Sequence, residues 1–257
     1  MAPMLEVVQV SVFFGGLAAL SGVSFQAQEA RITALIGPNG SGKTTALNVI
    51  SGVRFPDKGE VMLAGEPVTR LRPYQLCSMG LGRTFQNLQV FQHMSVLENV
   101  KVGLHSRTRT GFLGAMFRWP GMRKEESGVE QRAMAALELV GLTAKAHWPA
   151  GALPYGDQKR LEIARAAVAQ PRVLLLDEPA AGLNLAERLA LEETFLKLKQ
   201  KGTTIVLVEH DMNLVMGISD WVVVLHYGHK IAEGSPQEMR TDPRVVEAYL
   251  GGELPHA

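Results

Sequence analysis

What the sequence lacks limits the classes of protein to which it can belong. Cys77 is its only cysteine, so an intrachain disulfide is impossible and a reducing compartment is expected. No apolar run approaches the roughly eighteen residues of a membrane span, and the N-terminus lacks the basic start and apolar core of a signal peptide. A formal net charge of +1 gives no general case for nucleic-acid binding. We therefore expect a cytoplasmic protein, one that can still dock on a membrane through a partner.

Length and composition are those of an ordinary globular protein. The chain has 257 residues, enough for one large domain or for one domain with a subdomain. Hydrophobic residues make up 46% of it and charged residues 20%, which is the usual balance of a soluble protein. Length and composition therefore indicate no specific chemistry.

A glycine-rich segment after an apolar stretch carries the strongest chemical signal. Residues 37–44 read GPNGSGKT and fit the pattern G-x-x-x-x-G-K-[ST]. Glycines let successive backbone N–H groups form an anion-binding nest, and the helix that follows directs its positive end at the same phosphates. Lys43 adds a charge that reaches the β- and γ-phosphates, and the Thr44 hydroxyl can ligate Mg²⁺. The residues predicted to bind a nucleoside triphosphate are Gly37, Pro38, Asn39, Gly40, Ser41, Gly42, Lys43, Thr44 and Thr45.

Two predicted strands end in polar residues. Residues 173–176 are purely apolar, which is typical of a strand buried on both faces of a parallel sheet, and Asp177 and Glu178 follow them. Open α/β sheets bind ligands at that end of the strand. One carboxylate can hold the Mg²⁺ shell while the other polarises a water for attack on the γ-phosphate. His210 follows the second strand, 203–208; it is either a surface or capping residue or a hydrogen-bond donor to the γ-phosphate.

The remaining pattern predicts further strands and helices around these motifs. Phe14 lies in a turn between two strands, where an aromatic ring can stack on adenine; burial of Phe13 or Phe14 in the core is the simpler expectation from local sequence. The other predicted strands are 5–10, 23–27, 31–36, 60–64, 221–225 and 230–232, and the predicted helices are 45–51, 95–102, 128–140, 158–169 and 235–249.

An insert at 105–126 differs from its surroundings. It mixes aromatic residues with five basic side chains, against two acidic ones, which leaves it net positive by three. Such a patch can touch lipid headgroups or a membrane partner. The alternative, a solvated helical excursion whose aromatics pack on their own domain, is favoured because no clean amphipathic period is present. The basic residues are Arg107, Arg109, Arg118, Arg123 and Lys124.

Taken in order, these motifs resemble those of the nucleotide-binding subunit of an ABC transporter. The resemblance identifies 37–45 as the phosphate loop, Gln86 as the glutamine loop, 153–157 as the signature loop, 174–178 as the magnesium strand and His210 as the switch histidine. Within the family, GRTFQ at 82–86, YG at 155–156, LEIAR at 161–165 and DEPAAGLN at 177–184 are similar to the branched-chain (hydrophobic) amino-acid importers, as are the insert and EAYLG at 247–251.

This resemblance implies a fold and a domain organisation. The expected fold is α/β, a P-loop NTPase (ABC ATPase) with a RecA-like core sheet, an N-terminal antiparallel β subdomain and a helical subdomain. A single ABC ATPase domain would span 1–257. Residues 1–85 and 160–235 would form the nucleotide-binding core, 87–158 the helical subdomain including the insert, and 236–257 a C-terminal helical tail.

The resemblance also implies roles for individual residues. Phe14 would stack on adenine, Glu178 would be the general base and His210 the γ-phosphate sensor. Gln86 would sense Mg²⁺ and contact the membrane subunit, sharing the metal with Thr44 and Asp177. Two such subunits would form a head-to-tail dimer, in which the signature loop of one closes over the ATP of the other; the loop residues are Leu153, Pro154, Tyr155, Gly156 and Asp157.

The signature loop departs from the family pattern Leu-Ser-Gly-Gly-Gln. Pro154 supplies neither a serine hydroxyl nor an N–H, so two potential γ-phosphate donors are absent. Gly156 keeps its backbone amide, and Tyr155 is normal for the amino-acid branch, as is Asn184 in place of the usual aspartate after the catalytic glutamate. The ATP site that this loop serves is therefore expected to be less active or asymmetric.

The implied function is that of an ATPase subunit, binding ATP and Mg²⁺, which powers amino-acid import at the cytoplasmic face of the bacterial inner membrane. Its partners would be two integral membrane permeases, a second related ATPase or a second copy of itself, and a solute-binding protein; nucleic acid is not expected. Urea or short amides are alternative cargoes. A soluble ABC ATPase in translation or DNA repair would show two fused domains or a long coiled coil, and a regulatory module without turnover conflicts with an intact Glu178 and His210.

Overall fold

The computed structural model describes residues 3–84, 88–104 and 122–250. Its strands are β1 (Pro3–Phe14), β2 (Leu17–Gln28), β3 (Ile32–Ile36), β4 (Lys58–Leu63), β5 (Glu66–Pro67), β6 (Leu81–Arg83), β7 (Val173–Asp177), β8 (Thr204–Val208), β9 (Trp221–His226) and β10 (His229–Gly234). Its helices are α1 (Lys43–Ile50), α2 (Pro73–Ser78), α3 (Val96–Val102), α4 (Met122–Leu139), α5 (Tyr155–Ala167), α6 (Leu185–Gln200), α7 (Met212–Ile218), α8 (Pro236–Thr241) and α9 (Pro243–Leu250). Within these ranges, none of the helices has the length and apolar content needed to cross a bilayer.

The central sheet has six strands in the order β10-β9-β3-β8-β7-β6. Five of them pair in parallel, and β10 adds an antiparallel edge beside β9. Every residue of β3, β7 and β8 is buried, as expected for parallel strands that are covered on both faces. The strands predicted at 31–36, 173–176 and 203–208 are therefore confirmed.

A second, antiparallel sheet in the order β2-β1-β4-β5 covers one face of the central sheet. Between the two sheets lies α1. Leu47 and Ile50 of α1 share an apolar core with Leu5 and Phe25 of the antiparallel sheet and with Leu175 of β7. This packing holds the start of α1, and with it the glycine-rich loop, in a fixed position over the central sheet.

Helices α3 to α6 cover the other face. Val100 of α3, Leu137 of α4 and Leu161 of α5 belong to the same apolar core as Leu176 of β7. The boundary that we expect between the helical subdomain and the nucleotide-binding core, at 158–160, lies inside α5. Most of the basic insert 105–126 lies outside the described residues.

Helix α6, which is not among the elements predicted above, allows a direct test of the core. Phe195 is fully buried in this core, whereas its neighbour Leu196 is 39% exposed. We expect Phe195→Ala to lower the free energy of unfolding by about 3–5 kcal/mol, because it leaves a cavity in the core. The control Leu196→Ala should change it by less than about 1 kcal/mol. Denaturant titration of both variants checks this, and equal losses would contradict the assigned packing.

Candidate functional site

Three buried strands end in line at one edge of the central sheet. Leu35 of β3 pairs with Val208 of β8, and Val208 also pairs with Asp177 of β7. Because these strands are parallel, the segments that begin at Gly37, Glu178 and Glu209 leave the sheet side by side. The sheet thus brings together the glycine-rich loop, the paired carboxylates and His210, as ligand sites of open α/β sheets require.

The glycine-rich loop is held so closely that two of its glycines admit no side chain. Gly37 has φ +148°, and a Cβ there would lie 2.0 Å from the carbonyl oxygen of Leu225. Gly42 has φ +106°, and a Cβ there would lie 2.6 Å from the carbonyl oxygen of Ala19. Both conformations strain any residue with a side chain. Between them, Ser41 is buried, and its hydroxyl has no hydrogen-bond partner among the described residues.

Lys43 folds back over this loop. Its Nζ donates hydrogen bonds to the carbonyl oxygens of Gly37 (2.7 Å) and Pro38 (2.9 Å). Burial lowers the pKa of the Lys43 ammonium, while the nearby charges of Glu178 and Asp177 act to raise it. The loop therefore contains a buried cation whose present partners are backbone dipoles, which an anionic ligand can replace with charge-assisted bonds.

One cavity of about 360 Å³ opens beside the loop. It brings the end of the glycine-rich segment and the start of α1 together with Glu178 and His210. The start of β2 and Tyr227 complete its wall. No local sequence pattern predicts this contribution, because these residues meet the loop only in the folded chain. The lining residues are Leu17, Ala18, Ala19, Asn39, Gly40, Gly42, Lys43, Thr44, Thr45, Glu178, His210 and Tyr227.

Asp177 lies next to this cavity in a buried ion pair. It is 2% exposed, and its Oδ2 accepts a hydrogen bond from a guanidinium nitrogen of Arg83 at 3.2 Å. Asn48 of α1 and Ser51, the C-cap of that helix, accept two further bonds from Arg83, at 2.8 and 2.6 Å. Burial raises the pKa of the Asp177 carboxyl, although the Arg83 charge counteracts the rise. Arg83 belongs to the family-like segment 82–86, but no local sequence pattern predicts a role for it.

The other oxygen of Asp177 is suited to a cation. Oδ1 is buried and has no hydrogen-bond partner among the described residues, and an unpaired carboxylate oxygen is costly to bury. The exposed Thr44 hydroxyl belongs to the adjacent cavity wall. Hard oxygen donors of this kind are those that Mg²⁺ prefers. The residues present therefore fit a magnesium ion.

Glu178 and His210 form a hydrogen-bonded pair. His210 Nε2 lies 2.9 Å from Glu178 Oε1. Glu178 has φ +48°, which is uncommon for a residue with a side chain and concentrates at functional sites. Its backbone N–H donates to the carbonyl oxygen of Val208, which ties the turn to β8. The two residues predicted from separate strand ends are thus joined in one unit facing the cavity.

Phe14 lies on the surface, so the expectation that Phe13 or Phe14 is buried in the core is wrong. The side chain of Phe14 is 50% exposed, and the guanidinium carbon of Arg54 lies 4.0 Å from its ring centroid. Arg54 also donates to the backbone oxygen of Phe13, and Asp57 accepts from the Phe13 N–H. The ring is therefore presented at the tip of β1 by a defined set of contacts.

The predicted signature-loop residues lie elsewhere and do not line the cavity of their own chain. Pro154 is the exposed N-cap of α5, followed by the half-exposed Tyr155. Gly156 is buried: a Cβ there would lie 2.3 Å from a carboxylate oxygen of Glu187.

The last residue of the loop is tied into its own chain. Asp157 is buried, and its two oxygens pair with Lys145 and Arg160. Burial raises its pKa, but the hydrogen bonds from these two cations outweigh that effect and bring the pKa below its ordinary value. Asp157 therefore anchors the start of α5 to the segment before it. Leu153 is buried in the apolar core, and Gln86 lies outside the described residues.

Comparisons with known proteins agree with this geometry. A family model described as ABC transporter matches residues 20–181, and one described as branched-chain amino acid ATP-binding cassette transporter matches residues 229–254. The high-affinity branched-chain amino acid transport ATP-binding protein BraF of Pseudomonas aeruginosa is 43% identical over 97% of this chain and 98% of its own. The protein LivG of Salmonella typhimurium, which carries the same description, is 44% identical with the same coverage.

Solved structures show the same fold. An ATP-binding cassette of an ABC transporter in its ADP conformation superposes with a TM-score of 0.85 at 34% identity, covering 98% of this chain and all (100%) of that one. A nucleotide-free ATP-binding cassette gives a TM-score of 0.84 at 33% identity, covering 96% and 99%. The predicted fold class and the resemblance stated from the motifs are both confirmed. This chain belongs to the ABC transporter family, as one of its ATP-binding subunits.

Proposed function

We propose that this chain is the ATP-hydrolysing subunit of an importer for branched-chain amino acids. The observation that carries the proposal is the convergence of the phosphate loop, Asp177 and the Glu178–His210 pair on one edge of the sheet. The cargo is inferred from two relatives at 43–44% identity that are named for branched-chain amino acid transport. Other hydrophobic amino acids, urea and short amides are the competing cargoes, because the ATPase itself contacts none of them.

In this proposal the loop and α1 bind the triphosphate. Backbone N–H groups from Gly40 to Thr44 and the positive end of α1 face the phosphates. Lys43 exchanges its bonds with the Gly37 and Pro38 carbonyls for phosphate oxygens. Phe14 stacks on the adenine with the ring face that Arg54 leaves available. In this proposal the binding energy comes mainly from charge-assisted hydrogen bonds between the loop and the phosphates.

Hydrolysis is assigned to the carboxylates and His210. Mg²⁺, when bound, supplies charge neutralisation at the phosphates, and Asp177, Thr44 and Gln86 are the residues proposed to hold it. Glu178 accepts a proton from the attacking water, which increases its nucleophilicity. His210 orients the Glu178 carboxylate through the 2.9 Å contact and senses the γ-phosphate.

The family implies membrane permeases and a partner ATPase. We propose two permease subunits, either a related ATPase or a second copy of this chain, and a solute-binding protein in the same system. The chain would then lie peripherally at the cytoplasmic face of the membrane. The exposed start of α5, with Pro154 and Tyr155, is the surface proposed to close over the partner's ATP.

Purification from native membranes in mild detergent tests this function. We expect two polytopic subunits and an ATPase partner to accompany the chain. In the isolated complex with its solute-binding protein, leucine, isoleucine or valine should stimulate ATP hydrolysis more than urea or acetamide does. Stimulation by urea alone would show that urea, and not a branched-chain amino acid, is the cargo. Recovery only from the soluble fraction, with ribosomes or DNA, would contradict the transporter assignment and leave the ATPase site intact.

The variant Glu178→Gln tests the general base. It keeps the size of the side chain but cannot accept the proton, so turnover should fall by about 10²–10⁴-fold while ATP binding persists. The undissociated nucleotide should trap a closed dimer, visible by size-exclusion chromatography. Glu193→Gln is a suitable control, because Glu193 pairs with Lys197 on the surface of α6. Wild-type turnover in Glu178→Gln would refute the assignment.

The variant Pro154→Ser tests the unusual signature loop. A serine at this position restores a hydroxyl and an N–H, so we expect higher ATP turnover in the assembled complex. Because Pro154 is the N-cap of α5 and makes no side-chain cap bond, the serine would also stabilise the helix by about 1 kcal/mol. Measuring turnover and thermal unfolding together separates the two effects. Greater stability with unchanged or lower turnover would count against a catalytic handicap at Pro154.

A further inference from the structure

A buried carboxylate joins the two segments that carry Glu178 and His210. Glu209 is 3% exposed and directly follows β8. Its Oε1 accepts a hydrogen bond from the N–H of Ala180 at 2.7 Å, and its Oε2 accepts one from the N–H of His210 at 3.0 Å. Each carboxylate oxygen therefore holds a different segment of the site.

The turn after β7 needs such support. Glu178 has φ +48°, a left-handed conformation that is unfavourable for a residue with a side chain. A backbone bond from the Ala181 N–H to the Glu178 carbonyl, 3.2 Å, closes the turn. Ala180 lies inside it, so the bond from Ala180 to Glu209 restrains the very turn that sets the direction of the Glu178 side chain.

The burial of Glu209 is unfavourable unless its oxygens are used. Burial raises the pKa of the Glu209 carboxyl, and the backbone bonds from Ala180 and His210 oppose the rise. An apolar side chain here would avoid burying a carboxylate, but it would leave two backbone N–H groups without these acceptors, which is also costly. Glu209 therefore satisfies both segments at once.

A second contact links the same two segments. Arg188 of α6 pairs with Asp211 and also donates to the carbonyl oxygen of Leu183, at 3.2 Å. Asp211 in turn caps α7 by accepting from the N–H of Asn213. The segments 180–183 and 209–211 are thus linked by Glu209 at one end and by Arg188 at the other.

We propose that Glu209 is a positioning residue for ATP hydrolysis, which keeps Glu178 and His210 in hydrogen-bonding register by holding both backbones. The inference rests on the roles proposed for Glu178 and His210. Glu209 does not line the cavity; it acts by fixing the turn at Ala180 and the amide of His210. Loss of one of its two bonds lets the Glu178 carboxylate move away from the attacking water, whereas the phosphate loop that binds ATP is untouched.

The test is Glu209→Gln in the full chain, assembled with its partners. Glutamine has the same shape but only one acceptor oxygen, and its NH₂ group faces one of the two N–H donors. We expect kcat to fall by about tenfold with KM for ATP little changed, and the thermal midpoint to fall because one buried N–H loses its acceptor; a tenfold loss in kcat corresponds to about 1.4 kcal/mol in the barrier. Glu238→Gln is the matched control, because Glu238 also accepts a backbone N–H, from Ser235, far from the cavity.

Two more variants, Glu209→Asp and Glu209→Gln combined with His210→Ala, test whether Glu209 acts through the Glu178–His210 pair. Glu209→Asp retains the charge but is one methylene shorter, so it should hold one segment and lose part of kcat even if Glu209→Gln fails to fold. Adding Glu209→Gln to His210→Ala should cause little further loss, because the two act through one unit. Wild-type kcat in folded Glu209→Gln, or a loss shared equally between kcat and ATP affinity, overturns the inference. Wild-type turnover in Glu178→Gln and His210→Ala would instead overturn the proposed function.

Discussion

The register of three buried parallel strands is the constraint on which the site depends. Since Leu35, Val208 and Asp177 lie side by side, the segments that follow them emerge together although they are far apart in the sequence. The strands are held by apolar cores on both faces, and a slip of one residue would turn every side chain of a strand to the opposite face. The cost of such a slip protects the geometry of the phosphate loop, the carboxylates and His210.

Buried charges are the second organising feature, and each is held by a small set of partners. Arg83 neutralises one oxygen of Asp177 and is itself fixed by α1. Lys43 is solvated by the loop carbonyls, and Glu209 by two backbone amides. A buried charge is tolerated only when it is paired or hydrogen-bonded. These partners fix the positions of the three side chains, while Asp177 Oδ1 has no hydrogen-bond partner among the described residues.

The predicted signature loop, residues 153–157, packs on the segment that follows Glu178. Tyr155 lies against Gly182, where a Cβ would be 3.1 Å from the tyrosine ring, and Gly156 lies against Glu187. The start of α5 therefore contacts the segment that leads from Glu178 into α6. The position of the exposed residues Pro154 and Tyr155 is thus set in part by the segment that follows Glu178.

Sequence alone determined the strongly patterned parts of this protein. The phosphate loop, the fully apolar strands and the family were readable because glycine spacing and uninterrupted burial each have a local signature. What only the tertiary structure decided are contacts between residues with no local signal: Arg83 on Asp177, Glu209 on Ala180, and the side walls from β2 and Tyr227. Phe14 illustrates the difference, since local sequence favours burial of an aromatic but β1 ends at the surface. The sequence specifies the type of each side chain. Its hydrogen-bond and packing partners depend on which strands lie next to each other in the fold.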